Sequence, residues 1–232
     1  MVPERDVDCG ALYALERQRF VDLQRSCDEH ARATKVPATP AWTVHDVFSH
    51  VVGITADLNS GNFGDLSDPD AWTAAQVDAR RDRTVDQLAA EWAGEAPQFE
   101  DGLRLLGYEL GSHYVGDLLQ HAADVRHALG LARPDDDLSL AVALDFYLIT
   151  FEETLAEAGV GSVAVEVGDE AWTLGPGATV ASLRAERFEL FRALGGRRSA
   201  AQIRALAWRG DADAVVPLVS RYPLPATDLL DA

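Results

Sequence analysis

Between Asp6 and about Ala33, apolar side chains recur at Leu12, Leu15, Phe20, Leu23 and Cys27 against a mostly polar background. Steps of three and four residues predict a helix with one buried face. Pro37 and Pro40 end it, and a second helix starts at Trp42-Thr43, where Thr43-Val-His-Asp46 resembles a capping box with Asp in the place of the usual Glu. Val44, Val47, Phe48, Val51, Val52 and Leu58 form its apolar stripe. Residues 61–72, rich in Gly, Asp and Pro, predict a loop, followed by a third helix over about 73–93 and an interruption at Gly94–Pro97. A fourth helix is expected over about 99–129, closed by Gly130 with Pro134 beyond it, and a fifth over about 137–158. Long helices joined by irregular connections predict an antiparallel, up-down helical bundle over residues 1–158.

The pattern changes after Ala158. Val163–Val167 and Glu170–Leu174 alternate on either side of the turn dipeptide Gly168-Asp169, which predicts a hairpin. Beyond Gly175-Pro-Gly177, a helix is expected over about 179–194, then a Gly195-Gly196 break and a short helix from Ser199. A third strand over Ala205–Arg209 and a last helix near 212–220 complete the pattern, before a Pro-marked tail. Residues 159–232 therefore predict a small α+β domain appended to a mainly α protein, with no internal repeat.

Composition narrows the function. The 232 residues carry 20 Lys and Arg against 38 Asp and Glu, a formal charge of −18, and a field of that sign repels phosphate backbones and anionic membranes. Neither nucleic acid nor a membrane is an expected partner, and no apolar run approaches the roughly 20 residues of a spanning helix. The charged start MVPERDVDCG does not resemble a signal segment. Two cysteines, Cys9 and Cys27, are too few for a disulfide scaffold and read as packing residues, so a cytoplasmic, reducing location is expected. Lys35 is the single lysine, a bias that goes with a GC-rich genome. The pattern is compatible with a monomer or a homodimer.

His113, Asp117 and His121 stand four residues apart in turn, on one face of the predicted fourth helix. A His and a carboxylate one turn apart, about 6 Å along the axis, can chelate one divalent ion, and His50 on the second helix could add a ligand from across the bundle. The same spacing also describes a surface Asp–His pair of little consequence. His30, His45 and His127 read as solvated or helix-end residues. HExxH, a Gly-rich phosphate loop, GxSxG and clustered Cys/His spacings are all missing from the sequence.

Pro40-Ala-Trp-Thr-Val-His-Asp-Val-Phe-Ser-His-Val-Val-Gly53 resembles the second-helix signature of the DinB-like, mycothiol-dependent maleylpyruvate isomerase family. Asp117-Leu-Leu-Gln-His-Ala-Ala-Asp-Val-Arg-His-Ala-Leu-Gly130 is similar to its second signature, and Arg187–Ser199, Gln202 and Trp208-Arg-Gly-Asp211 to its small C-terminal domain. The resemblance implies a DinB-like bundle, and a divalent metal, zinc first with nickel, iron and cobalt as alternatives, on His50, Asp117 and His121. It also implies mycothiol as a low-molecular-weight thiol cosubstrate and a small-molecule electrophile as substrate, hence a transferase or isomerase. Asp117 stands where the family's isomerase has Glu, which puts transfer of the specific reaction in question. Asp124 is either a partner that orients His121 or one half of a helix-packing ion pair with Arg126 or a neighbouring helix, and His113, which has no recognised family counterpart, is a candidate to line the pocket. In so acidic a chain, Arg197 and Arg198 are candidates to clamp a substrate carboxylate, with surface charge as the alternative. A non-catalytic metal- or small-molecule-binding protein and a metal-dependent hydrolase are the rival functions.

Overall fold

The computed structural model describes residues 5–65, 67–135 and 137–231. Met1–Glu4 of the charged start, Leu66 of the predicted loop and Ala232 lie outside the described residues. The chain divides into two compact units, one of Asp8–Arg133 with Asp231, the other of Pro134–Leu230 with residues 5–7.

In the first unit, α1 (Cys9–Ser26), α3 (Val44–Asn59), α5 (Val85–Leu106) and α6 (Tyr108–Ala128) make a helical bundle. The short α2 (Glu29–Arg32) and the two-stranded pair β1 (Lys35–Val36) and β2 (Thr39–Thr43) join α1 to α3, and α4 (Pro69–Asp78) packs on α3. The capping box at α3 forms: Thr43 Oγ1 accepts from the Asp46 amide while the Asp46 carboxylate accepts from the Thr43 amide. Apolar positions three and four apart on these helices meet in an aromatic core. Trp92 packs edge-on against Tyr13, Phe20 and Phe48, at ring centroid separations of 6.2, 6.3 and 6.0 Å. Its indole Nε1 donates to Thr55 Oγ1 at 3.0 Å, and Thr55 in turn donates to the Val51 carbonyl. Tyr13 shares the same hydroxyl at 3.1 Å.

Several boundaries differ from the sequence expectation. The first predicted helix breaks at Cys27-Asp28, and the Pro37–Pro40 stop is a short paired ribbon. The predicted loop is entered by α4 at Pro69, because Asp68 caps the Ala71 amide and Pro tolerates the first helical position. Gly94–Pro97 does not interrupt: α5 runs through Pro97 because Leu88, Trp92, Ala96, Phe99 and Leu103 keep one buried stripe continuous across it. The missing N–H costs less here than breaking that stripe. The real break is Gly107, at φ +90°, a backbone conformation that only glycine adopts readily.

The second unit holds α7 (Leu138–Ala158) and a four-stranded sheet of β3 (Ser162–Val167), β4 (Glu170–Leu174), β5 (Thr179–Arg184) and β6 (Ala207–Gly210), in the order β4-β3-β5-β6. The β3–β4 hairpin turns at Gly168-Asp169 as expected, β5 lies parallel to β3, and β6 is antiparallel to β5. The helix expected from 179 begins only at α8 (Arg187–Leu194): Thr179–Arg184 is a strand, with Ala181 and Leu183 buried two apart on the core face. Ridge spacing and alternation are hard to tell apart over six residues, and pairing with β3 decides it. The unit closes with α9 (Ala200–Arg204), α10 (Ala212–Val215) and a 3₁₀ turn at Val216–Leu218. Sequence patterning placed 137–158 with the bundle; in the structure α7 packs on α8 and β4, with Tyr147 and Phe191 rings 5.6 Å apart. The first three turns of α7, residues 138–149, are apolar but for Ser139 and Asp145, and such a segment carries no mark of which partner it will choose.

Candidate active site

His50 is the seventh residue of α3, on a face that turns from the apolar stripe toward α4 and α6. It is 3 % exposed, a depth at which an imidazole needs hydrogen-bond partners. Its Nδ1 lies 2.8 Å from Gln76 Oε1 of α4, and its ring meets that of Trp42 at 4.8 Å between centroids. Gln76 Nε2 donates to Asp57 Oδ2 at 2.8 Å. His121 of α6 faces His50 edge to face, with centroids 4.9 Å apart and planes at 79°.

The spacing read on the fourth predicted helix holds in α6. His121 Nε2 is 3.7 Å from Asp117 Oδ1, one turn back, and its Nδ1 is 3.9 Å from Asp124 Oδ2, one turn on. Both distances exceed hydrogen-bond reach. His121 Nδ1 is buried and has no hydrogen-bond partner, a costly condition for a ring nitrogen in a bundle interior. Asp117 is the open member of the group, its side chain 32 % exposed. Two imidazoles in contact and a carboxylate on the Nε2 side of one of them make a donor set that suits a borderline divalent ion. Among the described residues, no group of three or more His, Cys, Asp or Glu side chains already converges on one point for a metal. Loading an ion here requires a side-chain adjustment, of which Asp117 has the most freedom.

His113, one turn before Asp117, stacks on Tyr114 at 4.9 Å, and burial lowers its pKa despite the nearby Asp117 carboxylate. Arg126 donates to the Ala132 carbonyl. Arg197 and Arg198 belong to the other unit. Arg198 forms a two-pronged pair with Glu189, at 2.9 and 2.8 Å, and is 4 % exposed, so its guanidinium is committed to the fold. Arg197 Nη1 donates to the Gly195 carbonyl at 2.9 Å.

Burial disfavours the thiolate of both cysteines. Cys9 is 2 % exposed and burial pushes its pKa up to about 11, while burial also raises that of Cys27. At pH 8 Cys9 is thiolate in only about one molecule in a thousand. The native protein is therefore expected to leave both thiols unreacted with an aromatic disulfide reagent over minutes, and to release two equivalents on denaturation. Fast labelling of either cysteine in the native chain contradicts this.

Sequence reasoning did not find Gln76 or Asp57, since no spacing rule marks a glutamine on one helix as the partner of a histidine on another. Gly53 was the available signal. A Cβ there would stand 2.6 Å from the Gln76 Cβ, so glycine is what lets α4 approach α3.

Residues 13–111 match the family model described as the mycothiol maleylpyruvate isomerase N-terminal domain. The match includes His50, Gln76 and Gly53 and ends before Asp117. Among solved structures, the chain is similar to one described as the mycothiol-dependent maleylpyruvate isomerase, at 14% identity and a TM-score of 0.50, covering 85% of this chain and 90% of that one. A mutant form of a mycothiol-dependent maleylpyruvate isomerase aligns at 14% identity, over 84% and 89% of the two chains, with a TM-score of 0.47. No curated protein matches the chain in sequence. At such identity the structural likeness speaks for the fold, a helical bundle with a small α+β part. No helix among the described residues is long and apolar enough to cross a membrane.

Proposed function

We propose, for a chain whose residues 13–111 belong to the mycothiol maleylpyruvate isomerase N-terminal domain family, that it is a divalent-metal-dependent enzyme joining mycothiol to a small electrophile. The observation that carries this reading is the contact of His50 and His121 from two helices, with the Asp117 carboxylate 3.7 Å from His121 Nε2. His50, Asp117 and His121 are the proposed ligands, with zinc the first choice among Zn, Ni, Fe and Co. A divalent ion held there supplies a lowered thiol pKa, and so a thiolate at neutral pH.

The chain's own residues have three tasks. His50 and His121, both nearly closed off from solvent, hold one side of the site dry, while the partly exposed Asp117 marks the side that a cosubstrate can reach. Cys9 and Cys27, buried and with their pKa values raised by that burial, are poor stand-ins for an external thiol. Arg197 is the proposed partner of a substrate carboxylate. With mycothiol thiolate as nucleophile, the S–C bond forms at an alkene carbon and the C=C electron pair moves onto the conjugated carbonyl oxygen. Rotation about the resulting single bond, then S–C cleavage, gives the geometric isomer and returns the thiolate. Where the adduct instead takes a proton, the outcome is thiol transfer.

The test is turnover of maleylpyruvate by the full chain with mycothiol, before and after chelation and re-addition of zinc. Mycothiol-dependent isomerisation that chelation abolishes and zinc restores is expected. Turnover without thiol points instead to a hydrolase, and zinc binding with no thiol chemistry on a panel of electrophiles to a binding protein; either outcome overturns the proposal. Arg197→Met is expected to raise KM for a carboxylate substrate roughly tenfold or more with little change in kcat, the loss of one charge-assisted pair. An unchanged KM removes Arg197 from substrate binding.

A further inference from the structure

His50, Gly53 and Asp57 stand at i, i+3 and i+7 on α3, which places them in line on one face over two turns. Gln76 of α4 lies over the middle of that line. The absent side chain of Gly53 admits its Cβ, its Oε1 reaches back to His50 Nδ1 at 2.8 Å, and its Nε2 reaches forward to Asp57 Oδ2 at 2.8 Å. Gln76 is 2 % exposed. Its backbone is fixed as well: Arg80 Nη1 donates to the Gln76 carbonyl at 3.3 Å, while the Arg80 guanidinium pairs with Glu91 of α5 at 2.8 Å.

The order of the atoms fixes the protons. Asp57 accepts only, so the amide group facing it is the NH₂ of Gln76; a flipped amide would oppose two oxygens. The Gln76 oxygen therefore faces His50, and an amide oxygen cannot donate, so His50 Nδ1 carries the hydrogen. The neutral ring then has Nε2 as its unprotonated nitrogen, which is the nitrogen a metal ion uses.

We propose that Gln76, anchored by Asp57, is a positioning residue that holds His50 in the Nδ1-protonated tautomer and so presets Nε2 for a metal ion. The proposal rests on the metal reading above for its purpose, but its tautomer statement stands apart from it. The relay acts before any ion arrives, and it fixes ring rotation and proton position together.

The experiment reads the tautomer first, in the zinc-free full-length protein, from long-range ¹H–¹⁵N correlations of the histidine rings, with His50 assigned by difference from His50→Gln. The wild type is expected to show Nδ1–H at His50, and the near-isosteric Gln76→Met, which has no comparable acceptor, to move it toward Nε2–H, the form that free histidine prefers. Zinc affinity, measured by competition with a chromophoric chelator, is expected to fall 10- to 100-fold in Gln76→Met. Gln76→Glu combined with Asp57→Asn exchanges acid and amide while keeping both hydrogen bonds, and is expected to restore the Nδ1–H tautomer and most of the affinity. Loss of packing alone would not be rescued by that exchange, which also gives a second readout if Gln76→Met folds poorly. An Nε2–H tautomer in the wild type, or a tautomer indifferent to both variants, overturns the proposal. The expected tautomers in a wild-type chain that binds no zinc uphold the relay and overturn the metal reading instead.

Discussion

Trp92→Ala is expected to lower the stability of the helical bundle by about 3–5 kcal/mol, the usual range for deleting a fully buried indole. Trp92 is 0 % exposed and touches aromatic rings from α1 and α3, so no single neighbour can move in to fill the space. The packing loss is joined by a polar one: Thr55 loses the indole N–H that it accepts, although its own donor remains bonded to Val51. Trp92→Phe keeps much of the ring volume and drops the N–H, so it should cost clearly less. In a chain of this size, about 4 kcal/mol corresponds to a Tm lower by roughly 8–16 °C, since each kcal/mol is worth about 2–4 °C. Urea unfolding followed by near-ultraviolet circular dichroism measures it. A midpoint within experimental scatter of the wild type contradicts a core built around this residue.

The same cluster shows why so much of the first unit was readable from sequence. Phe48 and its neighbours sit at helical spacing beside a Thr43–Asp46 cap whose two hydrogen bonds both form. Where local signals and packing agree, the pattern is sufficient. Where they compete, packing wins: Pro97 and Gly94 argue locally for a break, yet the stripe from Leu88 to Leu103 carries α5 past both. Thr179–Arg184 is the opposite case, too short for periodicity to choose between helix and strand until β3 offers its edge.

The candidate site divides along the same line. One-turn spacing within α6 was legible because it depends on helix geometry alone. The meeting of His50 with His121 needed the crossing of two helices, which the motif resemblance suggested and the bundle provides. Gln76 and Asp57 were illegible because their roles exist only once α4 has docked over Gly53.

His121→Ala and His50→Ala are each expected to weaken zinc binding by more than the roughly 10- to 100-fold that loss of an outer-shell partner costs, since on the proposed assignment each removes a ligand itself. His113→Ala, on the same face of α6 but stacked on Tyr114, is expected to keep its affinity within a few-fold. Thermal unfolding gives an independent measure. A ligand that binds only the folded chain adds about RT ln(1 + [L]/Kd), roughly 2.7 kcal/mol at a hundredfold excess over Kd, so zinc should raise the wild-type Tm and not that of either variant. The zinc-free proteins separate this from general damage. His121 Nδ1 is buried without a partner, so removing the ring also removes a desolvation cost that offsets part of the lost packing. A zinc-free His121→Ala protein close to the wild type in Tm, but unresponsive to added metal, is the expected signature. Equal zinc affinity in the wild type and both variants would mean that the two rings meet for packing alone, and the metal assignment on α3 and α6 would have to be abandoned.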